Sequence, residues 1–323
     1  MDILDFNGLM IPHWFPKSEV KELGRFVDFH KLSEGGYGEV FTAMLRPPGA
    51  DSALRVVVKK FKPHFGPEDK ARLEKFLREA RLLKTLSHPS IPRYIDGFVS
   101  GDTAFYVMEY VEGQDINKIL YQAALSRMRP CFALAFHVLD GLLEALDYLH
   151  GYSPAAGRVD PVIHGDVKPK NLMLQRDLRV RLLDFSTSQR SSEISGFLGG
   201  SLAYAPLEFF TGGRPSPQFD LYSASAVFFD LLTFRQVLDN VNSQYNAFAK
   251  LAEEKNLETV RAMGFPGPLE NLLLRGLAKQ SADRFASARE FRTSLAEVAE
   301  ALAVPWRDRA LLHETATKFG KIG

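Results

Sequence analysis

The stretch Val162-Ile-His164-Gly-Asp166-Val-Lys168-Pro-Lys-Asn171-Leu-Met-Leu174 decides how this chain is read. Short apolar runs flank a polar cluster in which Asp166, Lys168 and Asn171 fall within six residues. A solvated turn would explain a Lys and an Asp. It does not explain apolar runs on both sides, which lead the loop out of packed structure and back into it. A few residues on, Leu182-Leu183-Asp184-Phe185 sets one more acid at the end of an apolar strand. Asp184 and Asn171 would offer the hard oxygen ligands that suit Mg²⁺.

Working towards the N-terminus, Val56-Val57-Val58-Lys59 has the period of a strand, with Val57 and Lys59 on one face and Val56 and Val58 on the other. A lysine there either emerges at an edge or needs a counter-charge. A helix read over about 68–86 carries Phe76, Glu79, Leu83 and Leu86 on one stripe. Glu79 is then a carboxylate on an apolar stripe, costly without a cation beside it. Lys59 and Glu79 can each meet the other's need. Further upstream, Leu32-Ser33-Glu-Gly35-Gly36-Tyr-Gly38-Glu-Val40 puts glycines between two strands, where the backbone can approach phosphate oxygens. The same glycines would serve a plain hairpin turn. The dinucleotide fingerprint loses ground, because a strand and not a helix follows them.

The 323 residues allow one large domain or two ordinary ones, and 46% hydrophobic content is that of a globular chain. Forty Lys and Arg against 39 Asp and Glu give no general reason for a polyanion-binding surface, so no nucleic acid partner is expected. The single cysteine, Cys131, excludes an intrachain disulfide and a cysteine-built metal cluster. Mean hydropathy of −0.12 and the lack of an apolar run near 20 residues argue against a membrane span. The opening MDILDFNGLMIPHWF does not read as a signal peptide, and the expected compartment is the cytoplasm.

Strands are expected at Phe26–Leu32, Val40–Leu45, Leu54–Phe61, Tyr94–Val99 and Ala104–Tyr110, with a Pro-Pro-Gly turn at 47–49. From about 115 the chain turns helical. Helices are expected at Cys131–His150, Asp220–Leu238, 254–261, Pro268–Ala278, Ala286–Leu302 and, beyond Pro305, Asp308–Lys318. Short extended pieces lie at Val162–Ile163, Leu172–Leu174 and Val180–Leu183. The reading is an α+β chain. It has an extension at 1–25, a small strand-rich lobe at about 26–112, a larger helical lobe at about 113–300 and a helical tail at 301–323. Trp14 and Phe15, between Pro12 and Pro16, are expected to anchor the extension by packing on the body.

These segments, in this order, resemble the eukaryotic-type (Hanks-type) Ser/Thr protein kinase superfamily, in a bacterial-looking version, over about residues 26–300. The resemblance implies a bilobal fold and transfer of the γ-phosphate of ATP, with Mg²⁺ or Mn²⁺, to Ser and Thr hydroxyls of protein substrates, autophosphorylation included. It implies a nucleotide loop at Ser33, Gly35 and Gly38. Val40, Val57, Met108, the hinge Glu109–Val111 and Met173 would lie around the adenine. Lys59 would hold phosphates with Glu79 as its partner. Asp166 would be the catalytic base, Lys168 would steady the transferring phosphate, and Asn171 and Asp184 would be metal ligands. His164, Phe185 and Leu83 resemble an internal stack, so His164 is structural. Gly200-Ser-Leu-Ala-Tyr204-Ala-Pro-Leu-Glu208 resembles the end of the activation segment, with Glu208 pairing Arg284. Asp220 matches the acid that clamps the catalytic loop.

Four positions depart from the pattern. Ser33 stands at the first loop glycine. Gly165 replaces the arginine before the catalytic Asp, which removes the usual partner of an activation-segment phosphate. Ser186 follows Asp184-Phe185 in place of glycine, and Leu207 breaks the closing motif. Gly151–Asp160 reads as an inserted surface loop. Ser191, Ser192 and Ser195 are expected in an exposed stretch, with weak autophosphorylation and little gain in rate. Two other readings stay open: a small-molecule phosphotransferase of the aminoglycoside or choline kind, suggested by His164-Gly165-Asp166 and Asn171, and a nucleotide-binding docking module, suggested by Ser33 and Ser186. The sequence specifies neither a particular substrate nor an oligomeric state.

Overall fold

The computed structural model describes residues 4–6, 9–11, 25–35, 38–46, 49, 52–63, 68–100, 103–154, 158–194 and 200–319. Gly36, Pro47, Pro48, Gly101, Asp102, Ser195, the stretch with Trp14 and Phe15, and the centre of the insertion lie outside them. The chain divides into two compact units, one of Met1–His88 with Pro92–Val111 and one of Pro89–Ile91 with Glu112–Gly323.

In the smaller unit β1 (Leu4–Phe6) and β2 (Leu9–Ile11) form an antiparallel pair. The main sheet holds β3 (Phe26–Gly35), β4 (Gly38–Leu45), β5 (Leu54–Phe61), β6 (Tyr94–Ser100) and β7 (Thr103–Glu109), ordered β3-β4-β5-β7-β6. Helix α1 (Asp69–Thr85) lies between β5 and β6 in sequence. Strand β3 runs three residues further than expected, to Gly35, through two register shifts against β4. Gly38 sits where β4 passes close to β5. A side chain there would collide with the Lys60 carbonyl, so this glycine is required by strand packing alone. One sheet face is a core of Phe26, Ala43, Leu45, Val56, Val58, Phe98, Phe105 and Val107. The other face receives α1, with Phe76 between Phe61 and Tyr106 at ring separations of 5.7 and 5.1 Å.

The larger unit begins with β8 (Gln114–Asp115) and α2 (Ile116–Leu125), whose first turn is capped by Asp115 accepting from the Lys118 N–H at 2.6 Å. Its spine is α3 (Phe132–His150) against α5 (Pro217–Thr233) and α9 (Ala288–Ala301). Between α3 and α5 in sequence come β9 (Val162–Ile163), β10 (Leu172–Leu174), β11 (Val180–Leu182), β12 (Gln189–Arg190) and the short helix α4 (Leu207–Phe210). The remaining helices are α6 (Gln244–Ala252), α7 (Lys255–Ala262), α8 (Gly267–Gly276) and α10 (Arg309–Phe319). Among the described residues no helix is long and apolar enough to cross a membrane.

The α+β, two-lobed reading is borne out, with a β-rich small lobe and a helical large lobe. The helix expected over Asp220–Leu238 is shorter at its end and longer at its start. It stops at Thr233 because Phe234 turns left-handed at φ 56°, and its N–H donates to the Asp230 carbonyl at 2.7 Å. Val237 and Leu238 are buried in the turn that follows, so their apolar character extends the helical pattern without a helix. Helix α6, with Ser243 capping it, is not among the expected elements.

Helix α5 is buried along nearly its whole length and carries Asp230 in its last turn. Asp230 Oδ2 accepts from the Tyr204 hydroxyl at 2.7 Å, and burial pushes the carboxyl up to about 8. Asp230 is therefore protonated in the folded chain at neutral pH and ionised, from an ordinary value of 3.8, in the unfolded one. Its contribution to stability is complete below 3.8, declines as pH rises, and is gone above about 8. Asp230→Asn keeps an acceptor for Tyr204 and removes that titration. Thermal unfolding followed from pH 6 to 9 should show a shallower loss of stability in the variant than in the wild type.

Candidate active site

In the small lobe the candidate residues are placed by strand register. Val40 on β4 stands opposite Lys59 on β5, and Lys59 opposite Tyr106 on β7. Two residues along, Val57 stands opposite Met108. Cross-strand partners share a face, so Val40, Val57, Lys59 and Met108 lie together on the side away from the phenylalanine core. Ser33 pairs with Val40, and Gly35 with Gly38, at the β3–β4 end. Lys59 Nζ donates to Glu79 Oε1 at 2.6 Å, and the two side chains are 14% and 5% exposed. The expected charge pair is therefore formed, in a place where either charge alone would be costly. Tyr106 lies beneath it, 5.8 Å from Nζ to ring centroid, and its burial, with Glu79 beside it, holds the phenol well above its ordinary pKa. Glu109 ends β7, donating its N–H to the Arg93 carbonyl at 2.9 Å, and Val111 is buried two residues on.

In the large lobe the candidate residues lie on a loop held by one carboxylate. Asp220, wholly buried in the first turn of α5, accepts from the His164 N–H at 2.8 Å and the Gly165 N–H at 2.9 Å. His150, at the end of α3, meets the same group at 3.0 Å. Gly165 has φ 79°, a conformation that favours glycine, so the residue in the arginine position suits the turn as well as removing a cation. The chain then presents Asp166. Lys168 Nζ donates to Asp166 Oδ2 at 2.6 Å and to Ser201 Oγ at 2.8 Å. Asn171 Nδ2 donates to the Asp166 carbonyl at 2.8 Å and to Oδ2 at 3.1 Å. The other carboxylate oxygen, Asp166 Oδ1, is buried and has no hydrogen-bond partner among the described residues. Such an atom is a ready acceptor for a proton from a molecule entering the site.

Asn171 closes a short helical turn before β10, and its carbonyl receives the Leu183 N–H at 2.8 Å. That bond ties the loop to the segment bearing Asp184, whose backbone is left-handed at φ 61°. Phe185 is buried edge-on against His164, with ring centroids 5.0 Å apart, and His164 Nε2 lies 3.1 Å from the Leu183 carbonyl. His164 is thus structural, as expected. Met173 on β10 stands opposite Arg181 and Asp115. Leu83, the third expected stack member, is buried on α1 in the small lobe.

The sequence model of the protein kinase domain matches residues 26–302. This chain belongs to the protein kinase family. Within it, the chain is a member of the eukaryotic-type Ser/Thr kinase superfamily. It is 30% identical over 279 residues to the tyrosine-protein kinase MasK of Myxococcus xanthus, covering 84% of this chain and 42% of that one. It is 31% identical over 283 residues to the serine/threonine-protein kinase pkn3 of the same organism, covering 83% and 48%. It is 30% identical over 296 residues to the serine/threonine-protein kinase pkn2, also of Myxococcus xanthus, covering 87% and 33%. The chain spans less than half the length of these relatives.

In this kinase domain the expected partner of Glu208 is in place. Arg284, with no side-chain exposure, binds both Glu208 oxygens at 2.6 and 2.9 Å and three backbone carbonyls besides. Three features escape the sequence. Ser201 is bonded by Lys168, though it reads only as one serine among several. His150 reaches Asp220 from 70 residues away. Thr187 and Ser188 both donate to the His164 carbonyl, at 2.9 and 3.0 Å.

Asp220→Asn tests the clamp. The two backbone N–H groups go to different carboxylate oxygens, so in an amide held in the same place one of them would meet the NH₂, a donor facing a donor. Urea unfolding should show a loss of about 2 kcal/mol, the range for removing a hydrogen bond to a buried charged group.

Proposed function

We propose that this chain transfers the γ-phosphoryl group of ATP to Ser and Thr hydroxyls of protein substrates, its own included. The single observation that carries the reading is Asp166, with Oδ2 held by Lys168 and Asn171 and Oδ1 buried and, among the described residues, unpartnered. An acceptor hydroxyl would align by donating to Oδ1 and surrender its proton there late in the transfer. Lys168, two residues from Asp166, would sit beside the charge that builds on the equatorial oxygens. Its position supports Ser and Thr over Tyr, as does the Ser/Thr naming of pkn2 and pkn3.

Lys59, fixed by Glu79, would hold the α and β phosphates. Ser33, Gly35 and Gly38 would run along the phosphates. Val40, Val57, Met108, Glu109, Val111 and Met173 would receive the adenine. Asn171 and Asp184 fit a metal site: Mg²⁺ takes one or two protein oxygens together with substrate phosphates, and the Asn171 amide turns its nitrogen to Asp166, leaving its oxygen on the opposite side. Mg²⁺ or Mn²⁺ held there would neutralise phosphate charge. The catalytic domain is assigned to about 26–300, with lobes at 26–112 and 113–300, an extension at 1–25 and a helical tail at 301–323. Use of ATP supports a cytoplasmic site of action.

A tyrosine acceptor is the second reading, favoured by the name of MasK. Transfer from γ-labelled ATP to the chain itself and to protein substrates tests both. Asp166→Asn should lower the rate by about 10²–10⁴-fold, as removal of a catalytic base does. Phosphoamino-acid analysis should return phosphoserine and phosphothreonine. Phosphotyrosine alone would move the assignment to the second reading, and no labelling of any protein by the wild-type chain would overturn both.

A further inference from the structure

The inserted loop before β9 ends in Asp160, and this acid touches the activation segment. Strand β12 pairs with β9 through Gln189 opposite Ile163 and Arg190 opposite Val162. The pairing then continues beyond the strands. Ser191 N–H donates to the Pro161 carbonyl at 2.6 Å. Ser192 donates twice to Asp160, from its N–H to Oδ1 at 2.9 Å and from its hydroxyl to Oδ2 at 2.6 Å. Arg214, from the loop after α4, donates to the Ser191 carbonyl at 2.8 Å, and Arg190 pairs with Glu193. Partial burial raises the Asp160 pKa, but the two Ser192 bonds and the nearby Arg190 and Arg158 outweigh it, so the group is held below the ordinary aspartate value and is ionised.

A fixed anion bonded by the segment's own N–H and O–H groups, with arginines alongside, does what a covalent phosphate gripped by arginine does elsewhere: it orders a stretch that backbone pairing alone would leave frayed. Here the anion comes from the chain and is permanent. Gly165 supplies no arginine to receive a phosphate, and the geometry does not call for one. We propose that Asp160 is a positioning residue that orders residues 189–193 without phosphorylation, so that negative charge added at Ser192 disorders this stretch instead of ordering it. The proposal rests on the phosphotransfer reading for its effect on rate, but not for its effect on order. Ser192 is exposed and within reach of a modifying enzyme. A charge on it would face the Asp160 carboxylate across one hydrogen-bond length, where like charges repel.

Backbone amide exchange over 189–193, read by mass spectrometry on the full, dephosphorylated chain, tests this directly. Slow exchange is expected in the wild type. Asp160→Ala removes both Ser192 bonds and should speed it by at least about tenfold, the scale of a single charge-assisted hydrogen bond. Ser192→Ala should speed it less, because the N–H bond to Oδ1 survives. Ser192→Asp should match Asp160→Ala, and adding Asp160→Asn to it should restore part of the protection by removing the repulsion. Exchange in α3 should stay unchanged in all of them, which separates local loosening from unfolding. The same Asp160→Ala chain should lose about tenfold in kcat/KM for a protein substrate while KM for ATP moves less than about twofold. Unchanged exchange in Asp160→Ala, or protection present only when the wild type is phosphorylated, overturns the proposal. A wild-type chain with no transferase activity would sink the functional reading and leave the exchange result to stand or fall alone.

Discussion

Asp220 is an ionisable side chain with no exposure to water, which is tenable only because its oxygens are fully used. They receive two successive backbone N–H groups from the loop and face one histidine ring. The backbone groups would otherwise be buried without partners at a turn where neither helix nor strand can serve them. The carboxylate therefore fixes the path of the chain at 164 and 165, and the side chain of Asp166 is aimed as a result. Lys168 and Asn171 then act on a residue already positioned. Helix α5 supplies the acid and α3 supplies the histidine, so the precision of the loop is inherited from two packed helices.

The same economy recurs in the small lobe. Lys59 and Glu79 sit on different elements, a strand and a helix, and each is acceptable in its place only with the other present. Removing either leaves an uncompensated charge in a nearly buried setting. A pair of this sort couples the seating of α1 to the sheet by charge as well as by the packing of Phe76 on Phe61 and Tyr106.

Much of this is legible in the order of the amino acids, and the reason is local periodicity. The valine alternation places Lys59 on its face, the three-and-four spacing places Glu79 on its stripe, and both hold. The polar cluster at Asp166, Lys168 and Asn171 stands out because apolar runs bracket it. What cannot be read this way joins residues far apart in sequence with no pattern between them. His150 reaching Asp220 is one case, Ser201 on Lys168 is another, and Ser192 on Asp160 is a third. Nor does residue identity report backbone handedness: Gly165 reads as a missing arginine, whereas its φ of 79° gives glycine a reason of its own. Phe234 ends a helix that apolar content alone would carry to Leu238.

The alternation of β5 has one more consequence. Lys59 faces α1 while its neighbours Val56 and Val58 are sealed within the phenylalanine core on the opposite side. Strand geometry is a matter of odd and even. Deleting or adding one residue between Leu54 and Lys59 would exchange the two sets, driving an ammonium group among Phe26, Phe98 and Phe105 and turning valines towards Glu79. Changes of length in this strand can be accommodated only in steps of two, so its span is constrained by parity as firmly as its side chains are by chemistry.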